Sequence, residues 1–159
     1  TGLFNKQYTE EFINHILGEQ QLPQLHAFLI MDVDKFKSVN DTYGHAVGDI
    51  VLEQFGKLLK SHFRGYDIVG RIGGDEFVVL MKNVGTKETA YARVDEFVKK
   101  VRDFKYEEMD GKGVTTSIGL AFAYEDGDCY MDLYKAADVE LYQAKKAGGD
   151  GFYVREKKE

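Results

Sequence analysis

The sequence has 159 residues, the size of one domain, and its 43% hydrophobic and 13% aromatic content supplies a core and excludes disorder. Lys and Arg number 21 against 27 Asp and Glu, and the net charge of −6 argues against a protein whose work is to grip DNA or RNA. A nucleotide enzyme stays open, because such sites use carboxylates to hold Mg2+.

In chain order, residues 8–20 place Phe12, Ile13, Ile16 and Leu17 at helical spacing. Residues 25–33 are an almost unbroken apolar run ending at Asp32-Val33, which suits a strand buried on both faces. Residues 34–42 predict a short helix or turn. Residues 45–63 carry Val47, Ile50, Val51, Phe55, Leu58, Leu59 and Phe63 on one helical face. Ile68–Ile72 and Glu76–Met81 read as two strands, and Gly73-Gly74 between them as a tight hairpin turn with positive φ. A helix follows over 86–102, a strand over 114–124, a helix over 130–147 with Tyr130, Leu133, Tyr134, Ala137, Leu141 and Ala144 in one stripe, and a last edge strand over 151–155. The expected fold is an α+β sandwich, with a mostly antiparallel sheet flanked by helices in two or three layers.

There is no internal repeat or low-complexity tract, and the only proline is Pro23. One cysteine, Cys129, allows no intramolecular disulfide and suits a reducing, cytoplasmic setting. No apolar run reaches the ~20 residues that span a bilayer, and no leader-like segment opens the sequence. The start at Thr1 rather than Met predicts a single domain cut from a longer protein.

Three acidic features stand apart from solvated surface charge. Asp32 and Asp34 end the most apolar strand, where a carboxylate is either a buried cost or a metal ligand; Asp34 could instead cap the following helix. Asp75 and Glu76 follow the Gly pair at a hairpin tip, where a tight turn with solvated charges is the better reading of the tip alone; in the functional reading the missing Gly side chains let a ligand approach the backbone, and Asp75 would face Asp32 across the sheet. On a helical wheel Asp49 falls opposite the core face with Leu52 beside it. Such a pair, with the upstream Asn40 amide, could hold a purine, although on these residues alone a solvated helix face is the better reading. Lys145 and Lys146 end the last long helix, where cations suit the helix dipole or a phosphate. No GxxxxGK[ST] loop, CxxC, HExxH or Ser/His/Asp arrangement is present, so P-loop, zinc and nucleophilic-hydrolase chemistry are unsupported.

The run Arg71-Ile-Gly-Gly-Asp-Glu-Phe77 resembles the signature of the GGDEF domains, the bacterial diguanylate cyclases. Thr1-Gly-Leu-Phe-Asn5, the block Asp32 to His45 (DVDKFKSVNDTYGH), Gly48-Asp49, Ser117-Ile-Gly119, Ala137-Asp138 and Leu141-Tyr-Gln-Ala-Lys145 resemble the family's other blocks in order, covering essentially the whole chain. The resemblance implies a palm-like nucleotide cyclase fold. It also implies a reaction that joins two GTP into cyclic di-GMP across a homodimer, releasing two pyrophosphates.

Carried over residue by residue, it implies Mg2+ (or Mn2+) held by Asp32, Asp75 and the Val33 carbonyl, with Glu76 assisting at a second metal or in activating the 3′-hydroxyl. Asn40, Asp49 and Leu52 would take guanine, Lys37 and Lys145 the phosphates, and Gly73 and Gly74 would let the nucleotide lie along the hairpin. Arg64-Gly-Tyr-Asp67 matches the family's RxxD site, where cyclic di-GMP gives product feedback, with Arg93 or Arg102 as candidates for a second arginine. A regulatory N-terminal domain, which could be membrane-attached, is implied for the parent protein. One departure stands out: Gly149 occupies the position of a usual basic residue, so one phosphate contact is absent or Lys146 replaces it. That departure motivates an alternative, a catalytically inactive domain that binds GTP or cyclic di-GMP as a regulatory module.

Overall fold

The computed structural model describes residues 3–19 and 24–155. Thr1 and Gly2 of the N-terminal motif, the last residue of the first expected helix and Pro23 lie outside the described residues. The elements are α1 (Lys6–Glu19), β1 (Ala27–Val33), α2 (Phe36–Tyr43), α3 (His45–His62), β2 (Ile68–Arg71), β3 (Glu76–Met81), α4 (Lys87–Asp103), a short 3-10 turn (Glu107–Met109), β4 (Thr116–Phe122), α5 (Tyr130–Lys146) and β5 (Gly151–Val154).

The five strands form one sheet in the order β2-β3-β1-β4-β5. All neighbours are antiparallel except β4 and β5. β1 is central and pairs on both edges, so every residue of it is buried and its sequence runs apolar without alternation. Its odd-numbered residues Leu29, Met31 and Val33 face α3 and α4. Its even-numbered Phe28 and Ile30 face α1 and α5. The sandwich therefore has three layers, with helices on both faces of the sheet. Among the described residues no helix is long and apolar enough to cross a membrane.

The β2–β3 connection differs from the expected two-residue turn. The strand register pairs Arg71 with Phe77, and the Ile72 N–H donates to the Glu76 carbonyl at 2.9 Å, so the loop runs from Ile72 to Asp75. Neither Gly73 nor Gly74 has positive φ. The Arg71 guanidinium holds the loop instead, donating to the Gly74 carbonyl at 2.6 and 3.1 Å and to that of Gly73 at 3.3 Å.

The wheel drawn for α3 also shifts. Leu52 is only 5% exposed and belongs to the core, whereas Ile50 is 38% exposed. The cause is α2, which lies across the first turns of α3. Asn40 and Phe36 press on Gly48, so closely that a Cβ there would come 1.8 Å from Asn40 Oδ1. The buried stripe of α3 thus runs through Gly48, Leu52 and Phe55.

Candidate functional site

The carboxyl end of β1 builds the site. Asp32 lies directly opposite Glu76 of β3 and Ser117 of β4. Its side chain is 13% exposed and forms an ion pair with the Lys145 ammonium, delivered by the last turn of α5. Burial pushes the Asp32 carboxyl up to about 6, with Asp75 and Asp34 adding to the rise and Lys145 opposing it. Asp32 Oδ1 is buried with no hydrogen-bond partner. Such an orphaned oxygen is costly unless something is there to meet it.

A cleft of about 340 Å3 opens over this carboxylate, lined by Asp32, Val33, Asp75, Lys37 and Lys145. Lys35, with left-handed φ of 54°, also lines it. Among the described residues no three His, Cys, Asp or Glu side chains come together as a metal cluster. A cation would instead be held by Asp32 and Asp75 and completed by phosphate oxygens and water, as is usual for Mg2+ at nucleotides. The unpartnered Asp32 oxygen beside a second carboxylate fits that role.

Asp34 takes another part. Its carboxylate accepts from Ser117 Oγ at 2.5 Å, Thr115 Oγ1 at 2.7 Å and the Asp150 N–H at 2.8 Å. It does not cap α2, whose preceding residue is Lys35 with no side-chain cap. Asp150 in turn accepts from Arg102 at 2.8 and 3.0 Å. Gly149, at φ 77°, lies against Asp34, and a Cβ there would fall 2.7 Å from Asp34 Oδ2. Lys146 does not substitute in the cleft: its ammonium lies 5.8 Å above the Tyr142 ring. Lys35, which sequence reasoning passed over, is a further cation at the cleft wall. Its signal was a lysine at the tight turn between β1 and α2.

Asn40 and Gly48, the residue before Asp49, meet where α2 crosses α3. Asn40 Oδ1 is buried against Gly48 without a partner, and Asp49, next along α3, is exposed. Leu52 follows Gly48 by one helical turn on the same face, beneath that crossing. Gly73 and Gly74 are exposed, and Gly74 has no atom within 4 Å of an added Cβ, leaving space for a ligand.

Glu76 is not brought into the cleft. Its carboxylate accepts from the Tyr134 hydroxyl at 2.5 Å, on the α5 side of the hairpin. Farther away, Arg64 and Asp67 fold onto each other. Asp67 accepts from the N–H groups of Arg64 and Lys82, each at 3.0 Å. The Arg64 guanidinium donates to the Lys82 carbonyl at 2.8 Å and covers the Tyr66 ring at 4.4 Å. Arg93 donates to the His62 carbonyl at 2.7 Å, tying α4 to α3, so it and Arg102 both have structural partners.

The five-stranded sheet with helices on both faces is the palm-like fold of the GGDEF cyclase structures. The GGDEF domain from Pseudomonas aeruginosa superposes with a TM-score of 0.89 at 29% identity, covering 99% of each chain. The active GGEEF domain of a diguanylate cyclase from Vibrio cholerae gives 0.87 at 25% identity, over 98% of this chain and 99% of that one.

The family model described as diguanylate cyclase, GGDEF domain, matches residues 1–151, and the chain belongs to this family. Diguanylate cyclase A of Treponema denticola is 41% identical over 124 residues, which is 77% of this chain and 33% of that protein. Diguanylate cyclase DgcS of Shewanella oneidensis is 37% identical over 149 residues, 93% of this chain and 49% of that protein. The chain thus spans about a third to a half of the length of these relatives.

Proposed function

We propose that this chain is the catalytic domain of a diguanylate cyclase, working in the cytoplasm as one domain of a longer, regulated protein. The carrying observation is the buried, unpartnered Asp32 oxygen beside Asp75 in a cleft walled by Lys35, Lys37 and Lys145. Each of two GTP molecules lies on one copy of the chain, and the copies meet face to face. Each 3′-hydroxyl attacks the α-phosphorus of the other GTP; an O3′–P bond forms, the bond to the β-phosphate bridging oxygen breaks, and pyrophosphate leaves with its electron pair. The proton of each 3′-hydroxyl passes to Glu76 or to solvent.

Asp32, Asp75 and the Val33 carbonyl would hold Mg2+, or Mn2+ in its place, which supplies charge neutralisation at the transferring phosphate. The chain's own part is positioning. Asn40 and Asp49 take the guanine edge above Leu52. Lys37 and Lys145 meet phosphates, and the open surface of Gly73 and Gly74 admits the nucleotide. Arg64 and Asp67 form a feedback site for cyclic di-GMP.

The test is to force the chain into dimers, supply GTP with Mg2+ or Mn2+, and separate products by chromatography. Cyclic di-GMP and pyrophosphate in a 1:2 ratio are expected. GTP binding without product would overturn the reading in favour of a regulatory nucleotide-binding module, the alternative that Gly149 favours.

A further inference from the structure

Glu76 and Asp32 are opposite each other on neighbouring strands, and their side chains leave the same face of the sheet. They nevertheless part company. Asp32 goes to Lys145 at the end of α5, and Glu76 goes to Tyr134, eleven positions earlier in that helix. Glu76 borders a separate cavity of about 270 Å3 with Tyr130, Tyr134 and Lys6.

The Tyr134 ring is held in place by its neighbours. Its centroid is 5.9 Å from that of Tyr130, which is only 2% exposed and meets Phe28 of β1 edge-on at 5.6 Å. The Tyr130 N–H donates to Asn14 Oδ1 of α1 at 2.8 Å, which fixes the start of α5. Phe28, Tyr130 and Tyr134 thus form a packed aromatic cluster that presents one hydroxyl to one carboxylate oxygen. Burial first, and the Glu76 carboxylate second, push the Tyr134 phenol well above its ordinary range, so it remains a protonated donor.

We propose that Tyr134 is a positioning residue, whose hydroxyl fixes the Glu76 carboxylate on the α5 side of the hairpin for turnover and keeps it from ligating the cation in the cleft. This rests on the cyclase reading and divides its acidic set: Asp32 and Asp75 serve the cation, and Glu76, on the same sheet face, is held apart from them by Tyr134. Sequence periodicity alone counts Tyr134 as one more core aromatic of α5.

The test compares the dimerised chain with its Tyr134→Phe, Glu76→Ala and double variants, with products counted over hours so that slow variants remain measurable. Tyr134→Phe removes one oxygen and keeps the ring. Loss of a charge-assisted hydrogen bond is expected to lower kcat about tenfold with the KM for GTP changed less than about twofold. In the Glu76→Ala background the same substitution is expected to add less than about twofold. An unchanged kcat, or an equal loss in both backgrounds, overturns the proposal.

A native dimer that makes no cyclic di-GMP would count against the cyclase reading alone. The Tyr134 contact is then judged on the nucleotide-free chain with 13C-carboxyl glutamate, the Glu76 resonance being assigned from Glu76→Gln. A displaced resonance in Tyr134→Phe supports the contact, and an unmoved one overturns it.

Discussion

Lys145 and Asp32, which are 113 residues apart in sequence, form an ion pair that joins the last turn of α5 to the end of β1. The pair leaves one Asp32 oxygen without a partner. The carboxylate is therefore only half satisfied, balanced on one side and open to the cleft on the other. Removing Lys145 strips a mostly buried carboxylate of its counter-charge. Lys145→Ala is expected to cost about 1–2 kcal/mol of stability, read as a fall in Tm of a few degrees. Binding of a non-hydrolysable GTP analogue is expected to weaken at least about tenfold, by calorimetry. Unchanged affinity would remove Lys145 from the phosphate site.

Asp75 is the other wall of that opening. It borders the cleft from the loop that Arg71 clamps, and its charge adds to the upward push on Asp32. Asp75→Ala is expected to leave the fold intact, because the loop is held by Arg71 and the strand register. It is expected to reduce cyclic di-GMP formation by about 1000-fold or more, as loss of a cation ligand does when charge neutralisation carries the rate. Retained turnover in a correctly folded variant would refute the assignment of Asp75 to the cation.

How far the sequence alone reaches is shown by particular residues. β1 was legible because a strand buried on both faces must be apolar throughout, and Asp32 stood out as the charge at its end. Leu52 was misplaced because a single-helix wheel cannot see α2 lying across Gly48, which moves the buried stripe. Gly73 and Gly74 were assigned positive φ from composition, whereas an arginine already in the signature holds the loop through its carbonyls. The division between Asp34 as a strut and Asp32 as the carboxylate left open to the cleft depends on Thr115, Ser117 and Asp150, which no local pattern connects to the acidic pair.

The Arg64–Asp67 motif has a structural duty as well as its proposed regulatory one. Its guanidinium ties the start of β2 to the Lys82 carbonyl at the end of β3. Arg64→Ala is expected to relieve inhibition by added cyclic di-GMP while leaving the initial rate nearly intact. It should also lower Tm by about 2–4 °C, the value of one hydrogen bond near 1 kcal/mol in a chain of this size. Titrating product into initial-rate assays, with a melting curve for the same preparation, separates the effects. Undiminished inhibition would show that feedback does not pass through Arg64.

Gly149 invites an obvious repair, the basic residue that the family resemblance leads one to expect at this position. The structure argues against it. The backbone there is left-handed at φ 77°, and an added Cβ would fall 2.7 Å from an Asp34 oxygen that already accepts from Thr115 and Asp150. Gly149→Arg is expected to cost about 1–2 kcal/mol from backbone strain and disturbance of that network, without raising turnover. A melting curve unchanged from the native chain, or a several-fold gain in kcat, would mean that the α5–β5 turn rearranges at little cost.

His26 gives the chain a pH dependence remote from the cleft. Its side chain is fully buried, and Nδ1 accepts the Asn83 N–H at 3.0 Å. Burial, helped by the nearby Lys82 charge, holds the imidazole below its ordinary 6.5. The unfolded chain therefore takes up this proton more readily than the folded one. The stability His26 contributes is complete above about pH 6.5 and is lost as pH falls toward the lower folded value. Asp32, pushed up to about 6, works in the opposite direction over part of the same window, so the melting temperature of the native chain alone does not isolate the effect. The comparison with His26→Asn does, because the amide oxygen can keep the Asn83 contact but cannot titrate. The Tm advantage of the native chain over this variant is expected to shrink steadily between pH 7.5 and 5. A constant difference across that range would show that the buried imidazole is not the group that takes up the proton.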